Sequence, residues 1–502
     1  MKRIVPLLAL LALPATLSAQ QKDPVAIWVN EHQPEIAREL VELLAIPNVA
    51  SDSANIRRNA DTLVRTMERR GIRTRLLETG GPPMVYGELP ARGATTTLLL
   101  YAHYDGQPVN PARWVGHGPW EPVLRDGVME RGAKTVPLPT RGPIDPEWRL
   151  YARSASDDKG PIVAMLSALD ALRATGRAPT VNLKFLFEGE EEAGSPSLER
   201  TIRRHADLLK ADLAVMADGP QHASGRPTLV YGARGITSAQ ITVYGPDHPL
   251  HSGHYGNWAP NPAMELSRLL ASMKDDSGRV TIAGWYDDVV PLSECERAAV
   301  AAVPDEPPAA FGFAEPEGGP GARRLERIAL PSLNVRGLQS GWVGADARTL
   351  VPDSAVAELD LRLVPKVEPA RQLERLAAHV HAQGFHVVDE APDSATRARW
   401  PRIARVVARE AGYPAFRTSF DHPVARRVAE AVGRLGGEGP VLIPTMGGSI
   451  PAVWFPVITG TQALLLPTVN PDNNQHADNE NLRMGNLWEG IRVFAAVMRL
   501  GR

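Results

Sequence analysis

The chain has 502 residues, 55 basic and 57 acidic side chains, a formal net charge of −2 and one cysteine. At about 150 residues per domain its length points to two or three domains, and 43% hydrophobic with 22% charged residues is globular usage that excludes disorder for most of the chain. The near-neutral balance gives no electrostatic case for a nucleic-acid partner, no interior apolar run suits a multi-pass membrane protein, and the lone Cys295 excludes a disulfide framework and a cysteine-based zinc site.

The chain opens MKRIVPLLALLALPATLSAQQKDP. Two basic residues precede an apolar run over residues 4–17, and small and polar residues follow. That order is expected of a secretory signal peptide, residues 1–19, cleaved after Ala19. The rival reading is a membrane anchor, but the run is short for about 30 Å of hydrocarbon. No cysteine near the cleavage point offers a lipid attachment. A periplasmic or secreted protein with no stable membrane association is expected.

Residues 35–71 read as two helices, with apolar positions such as Ile36, Leu40, Leu43 and Leu44 on one face. Residues 95–103, TTTLLLYAH, form a continuous apolar run with a β-branched start, the pattern of a buried strand. Residues 160–176 read as a helix stopped by glycine. Residues 180–192 and 211–219 read as two further strands, each running into acids. Strands alternating with helices imply an α/β fold with a mainly parallel sheet, in which function gathers at the carboxyl ends of strands. His103, the Glu190–Glu191–Glu192 run and Asp218 all fall at such ends.

From about Gly235 the pattern changes. Residues 235–245 and 355–365 alternate apolar and polar, as half-exposed strands do. Residues 263–273 and 368–384 read as amphipathic helices. This is a smaller α+β set, expected to be inserted into the first domain. The expected units are a catalytic domain, first part, over 20–234, an inserted lid or dimerisation domain over 235–418, and the catalytic domain's second part over 419–502. Residues 303–321 and 436–448, rich in Pro and Gly, read as loops. Buried-strand character returns at 462–469, and a helix begins near Asn486.

Five strings carry chemistry: HYD at 103–105, SDDKGP at 156–161, EGEEEAGS at 188–195, ADG at 217–219 and HADNE at 476–480. Each alone is weak, but they share a placement after apolar strands. Several carboxylates at the ends of buried strands repel one another and lose hydration unless a cation compensates them. Two divalent ions about 3.5–4 Å apart, with a bridging carboxylate and terminal His, Asp and Glu ligands, meet that demand. Oxygen and imidazole donors suit zinc, manganese or cobalt. One further carboxylate must take a proton from water.

These strings, with HYDGQP and GGSIP, make the chain resemble the dinuclear-zinc metallopeptidase family of carnosinases, PepV-type dipeptidases, aminoacylases and succinyl-diaminopimelate desuccinylases, most of all its carnosinase-like branch. The resemblance implies that His103 and Asp218 bind one metal, that Glu192 and His476 bind the other, and that Asp157 bridges them. It implies that Asp105 orients the His103 imidazole. The AGS that follows the glutamate run selects Glu191 as general base and acid, with metal-bound hydroxide as nucleophile, and leaves Glu190 outside the metal site. It implies that His251, in HSGHYGNW, stabilises the oxyanion, coming from the partner subunit in dimeric members. Arg362, Thr349 and Ser449 would hold the substrate's carboxylate end, and a homodimer through the inserted domain follows from the same likeness.

The chain departs from the family pattern in three places. Ala152 and Ser154 stand where similar proteins usually have glycine. About twenty extra residues near 128–148 read as a surface loop, a candidate rim for the site. Residues 391–418 resist registration, which leaves the second hinge open. The reading is a metal-dependent hydrolase of dipeptides or short peptides. Its rivals are an N-acyl-amino-acid deacylase of the same fold and a non-catalytic periplasmic binding protein. The retention of every ligand together with Glu191 argues against the last.

Overall fold

The structure, a computed structural model, describes residues 23–501. The expected leader, residues 1–19, lies outside the described residues. No helix among the described residues is long and apolar enough to cross a membrane.

An eight-stranded sheet forms the larger framework. Its order is Arg73–Leu77, Met84–Leu89, Asn182–Glu188, Thr97–His103, Leu213–Met216, Ala463–Leu465, Thr228–Val230 and Val441–Ile443. The four strands from Asn182–Glu188 to Ala463–Leu465 run parallel. Antiparallel pairing is confined to the flanks. The parallel centre explains the apolar strands: both faces are covered, so apolar side chains fill most positions, with Lys184 a half-buried exception. Strand Thr97–His103 is buried from Leu98 onward. On one face, helix Lys159–Ala174 lies between helices Pro24–Leu44 and Met484–Val497. It is buried at nearly every position, which is why it reads as apolar all round rather than on one stripe. On the other face Leu99, Tyr101, Leu186, Met216 and Leu465 pack with Leu198, Ile202 and Phe455.

A five-stranded sheet is built differently. Its order is Ser332–Gln339, Ser354–Leu363, Gly235–Tyr244, Ile403–Tyr413 and His386–Val388, antiparallel except for the last pair. Ser354–Leu363 alternates strictly between half-buried and buried positions. Its buried set, Ala355, Ala357, Leu359, Leu361 and Leu363, shares one core with Leu266 and Leu269 of helix Pro262–Ala271 and Leu376 and Val380 of helix Pro369–Ala382. In sequence this sheet falls between two strands of the larger one, Thr228–Val230 and Val441–Ile443. It is therefore an insertion.

Two expectations change. Residues 436–448 are not all loop: Val441–Ile443 pairs in parallel with Thr228–Val230. Only that tertiary pairing makes three residues flanked by Gly and Pro a strand. The extra segment near 128–148 has little regular structure, but it is not merely superficial. Ile144 is 2% exposed within the large core, and its backbone N–H donates to Gln33 Oε1 at 2.6 Å. Residues 391–418 resolve into helix Ser394–Arg399 and strands Ile403–Tyr413 and Phe416–Arg417.

Candidate metal centre

The carboxyl ends of the four parallel strands converge on one place. His103 closes its strand. Glu191 and Glu192 occupy the turn after Asn182–Glu188, Asp218 follows Leu213–Met216, and His476 lies in the loop after Ala463–Leu465. Asp157 arrives from the loop between strand Arg149–Tyr151 and helix Lys159–Ala174, and the Asp157–Asp158 peptide bond is cis. Ligand atoms of His103, Glu191 and Asp218 lie within 4.8 Å of one another, and so do those of Asp157, Glu192 and His476.

One carboxylate joins the two groups. Asp157 Oδ1 is 2.8 Å from His103 Nε2, and its Oδ2 is 3.1 Å from His476 Nε2. His476 Nε2 is also 3.3 Å from Glu192 Oε2. Asp157 and Glu192 have side chains only 6% and 5% exposed, whereas His476 is 54% exposed. One side of the cluster is thus open to solvent.

Asp105, fully buried, works on two elements at once. Its Oδ1 is 3.4 Å from His103 Nδ1. The same carboxylate accepts the backbone N–H of Glu191 at 3.1 Å and of Glu192 at 3.0 Å. Asp105 thereby fixes the imidazole, whose Nδ1 also lies 3.2 Å from the Asp105 backbone carbonyl, and the glutamate turn relative to each other, as a partner behind a metal ligand does. Glu190 turns elsewhere: its Oε1 accepts from Ser197 N at 3.0 Å.

Electrostatics test whether cations fit this donor set. Burial, then neighbouring carboxylates, push Glu192 up to about 7 and Asp218 up to about 6. Burial holds Glu191 well above the usual carboxylate range. Asp157 alone is pulled down, because hydrogen bonds from His103 and His476 overcome its burial. His476 rises to about 9 through its bond to Asp157. So many buried acids among so few positive charges leave a deficit that a divalent ion would remove. Carboxylate and imidazole donors with no thiolate suit zinc, manganese or cobalt.

The other expected site residues stand apart. Arg362, on strand Ser354–Leu363, donates from Nη1 to Ser449 Oγ at 2.8 Å, so these two meet across the seam between the sheets. His251 is exposed on a two-stranded ribbon, where Leu250 and His251 pair with Val351 and Leu350, and Thr349 is exposed immediately before it. Ser252 N donates to Thr349 O at 3.1 Å. Among the described residues, no hydrogen bond or ion pair ties His251 or Thr349 to the six clustered side chains.

Several residues inside or beside the quoted strings make contacts that the strings themselves do not announce. Gln107 Nε2 donates to Glu192 Oε2 at 2.7 Å, and Asp158 Oδ2 accepts from His103 N at 3.2 Å. Glu188, pushed up to about 7 chiefly by burial, accepts from the Tyr101 hydroxyl at 2.6 Å. Lys159 has no exposure, and its ammonium donates to Leu43 O and Ile46 O at the end of the first helix. Ser154 has φ +62°. Its hydroxyl accepts from Asn48 Nδ2 at 2.8 Å, which helps hold a left-handed conformation that serine disfavours. Spacing gave no signal for these partners, because each is defined by a contact between distant segments.

Comparison with known proteins agrees with this geometry. The sequence profile of peptidase family M20/M25/M40 matches residues 99–500. A Cys-Gly metallodipeptidase of Candida albicans is 28% identical over 508 residues, covering 95% of this chain and 96% of that protein. The human Beta-Ala-His dipeptidase is 26% identical over 504 residues, covering 93% of this chain and 90% of its own. Among solved structures, an M20 family metallo-carboxypeptidase from Sulfolobus solfataricus superposes with a TM-score of 0.73 at 30% identity, covering 93% of this chain and 99% of that one. A profile match over most of the chain, on a fold shared over 93% of it, establishes that the chain belongs to peptidase family M20/M25/M40.

Proposed function

We propose that this protein hydrolyses the amide bond of dipeptides or short peptides with two divalent metal ions, zinc in the first place. The observation that carries the reading is Asp157, whose two oxygens face His103 at 2.8 Å and His476 at 3.1 Å and so join two ligand groups. The names of the relatives, a Cys-Gly metallodipeptidase and a Beta-Ala-His dipeptidase, support a dipeptide substrate.

His103 and Asp218 would hold one ion, Glu192 and His476 the other, and Asp157 both. When bound, the ions supply Lewis-acid polarisation of the scissile carbonyl and a supply of nucleophile at neutral pH. Glu191 takes the proton from the attacking water and returns it to the leaving amine. Its backbone bond to Asp105 holds that carboxylate in place. Arg362 and Ser449 receive the substrate's carboxylate, for which a guanidinium fork is suited, together with Thr349. His251 is exposed, held in its own chain by the Gly253 N–H that its Nδ1 accepts at 3.1 Å and by contact with the His254 ring, which fits delivery from the partner of a homodimer, where it stabilises the oxyanion. The leader-like residues 1–19 support export to the periplasm or beyond.

The test is a panel of free dipeptides and matched N-acyl amino acids, assayed on zinc-reconstituted protein. Cleavage of dipeptides with free amines is expected. Cleavage of N-acyl amino acids alone would replace this reading with deacylation.

A further inference from the structure

Four residues beyond His476, one carboxylate organises the loop that offers Asp157. Glu480 has no exposed surface. Its Oε2 accepts from Arg153 Nη1 at 2.8 Å and from Ser154 N at 2.9 Å. Its Oε1 accepts from Ser156 N and Asp157 N, both at 3.0 Å. Its backbone carbonyl accepts from Ala152 N at 3.1 Å. One side chain thus satisfies three amides of one loop, those of Ser154, Ser156 and Asp157, and the guanidinium of Arg153, itself only 2% exposed. It also holds Ser154 in its left-handed conformation.

We propose that Glu480 is a positioning residue: it clamps residues 153–157 so that Asp157 faces His103 and His476 together, and it ties that geometry to His476 through the short segment 476–480. This rests on the metal-centre reading above. The physical reason is donor matching. Four donors converge on two carboxylate oxygens, and charge-assisted bonds of this kind are stronger than neutral ones. A glutamine keeps the shape but turns an amide NH₂ toward backbone N–H groups, so buried donors lose their acceptor. Asp157 is then free to move relative to its partners.

The experiment is a zinc titration against a competing chelator, with the thermal midpoint of the metal-free protein recorded alongside. Glu480→Gln is expected to weaken zinc binding about 10–100-fold, the usual effect of removing a partner behind a metal ligand. Glu480→Asp keeps the charge but not the reach, and is expected to fall between it and the wild type. If the Gln variant does not fold, the Asp variant decides alone. Glu39→Gln is the control: it breaks the bonds Arg70 makes to Glu39 at 2.7 and 2.9 Å, far in sequence from the cluster, and is expected to lower the thermal midpoint with unchanged zinc affinity. Wild-type affinity in both Glu480 variants, or an equal loss in Glu39→Gln, would overturn the proposal. A wild-type protein that takes up no zinc would instead overturn the metal-centre reading on which it rests.

Discussion

The two sheets solve opposite problems. The larger is covered on both faces, and its parallel strands end together at a largely buried rim where the five expected ligands and Glu191 meet. The smaller is covered on one face only, alternates along Ser354–Leu363, and leaves His251 and Thr349 exposed at a ribbon beside it. Burial on both sides lets a sheet hold acids at fixed positions, and the repulsion this leaves is what a cation would remove. A one-sided sheet cannot do this, but it can present groups outward. The bond-breaking groups are therefore expected to belong to the first sheet and, Ser449 apart, the groups that embrace the substrate to the second.

The sharpest way to break this division is within the glutamate turn. Glu191→Gln is expected to lower kcat by at least about 10²–10⁴-fold, the range for loss of a general base, while zinc content stays near wild type. Glu192→Gln is expected to lose zinc as well as turnover. The reverse pattern, measured by elemental analysis beside the peptide assay, would move the base and the ligand by one position.

On the other sheet, His251→Ala is expected to cost about 10²–10³-fold in kcat, as removal of an oxyanion donor does, with zinc content unchanged. Mixing this variant with Glu191→Gln would restore part of the activity if the histidine acts across a dimer. Failure of mixed samples to recover after subunit exchange would confine it to its own chain.

Proton competition separates the regions further. In the metal-free protein Asp218 and Glu192 are raised to about 6 and about 7, and His476 to about 9. Below those values the ligands carry protons that an ion must displace, so zinc affinity is expected to climb as pH rises from about 5 toward 9 and then level off. Each displaced proton contributes up to about tenfold per pH unit. Calorimetry in buffers of different ionisation enthalpy would read the protons released; a flat profile would mean that the ligands are already ionised.

The smallest effect on chemistry is expected from the core of the inserted sheet. Leu361 is fully buried there, and Leu361→Ala should destabilise the protein by about 2–5 kcal/mol in denaturant unfolding. Zinc affinity should hardly change. A large loss of zinc would show that the two regions are coupled more tightly than their separate cores imply.

The same contrast explains what could be read without coordinates. Buried parallel strands announce themselves as apolar runs, and the acids at their ends stand out because nothing local explains them: His103, Asp218 and the glutamate turn were visible for that reason. Alternation exposed Ser354–Leu363 equally well. Ile403–Tyr413 was obscured because Arg405 and Arg409 interrupt its apolar positions and because its pairing with Gly235–Tyr244 shifts register near Ile236 and Ser238. Glu480 was part of a recognised string, yet its bonds to Arg153 and the 154–157 backbone join segments more than 320 residues apart, and no local pattern encodes that.

The account stands most directly on the number of metal ions. Purified protein stripped of metal, reloaded with excess zinc and freed of unbound ions should hold about two zinc ions per chain by elemental analysis, and Asp157→Asn should lower both together because one carboxylate serves both groups. A stoichiometry that never exceeds one ion per chain would contradict the bridged centre.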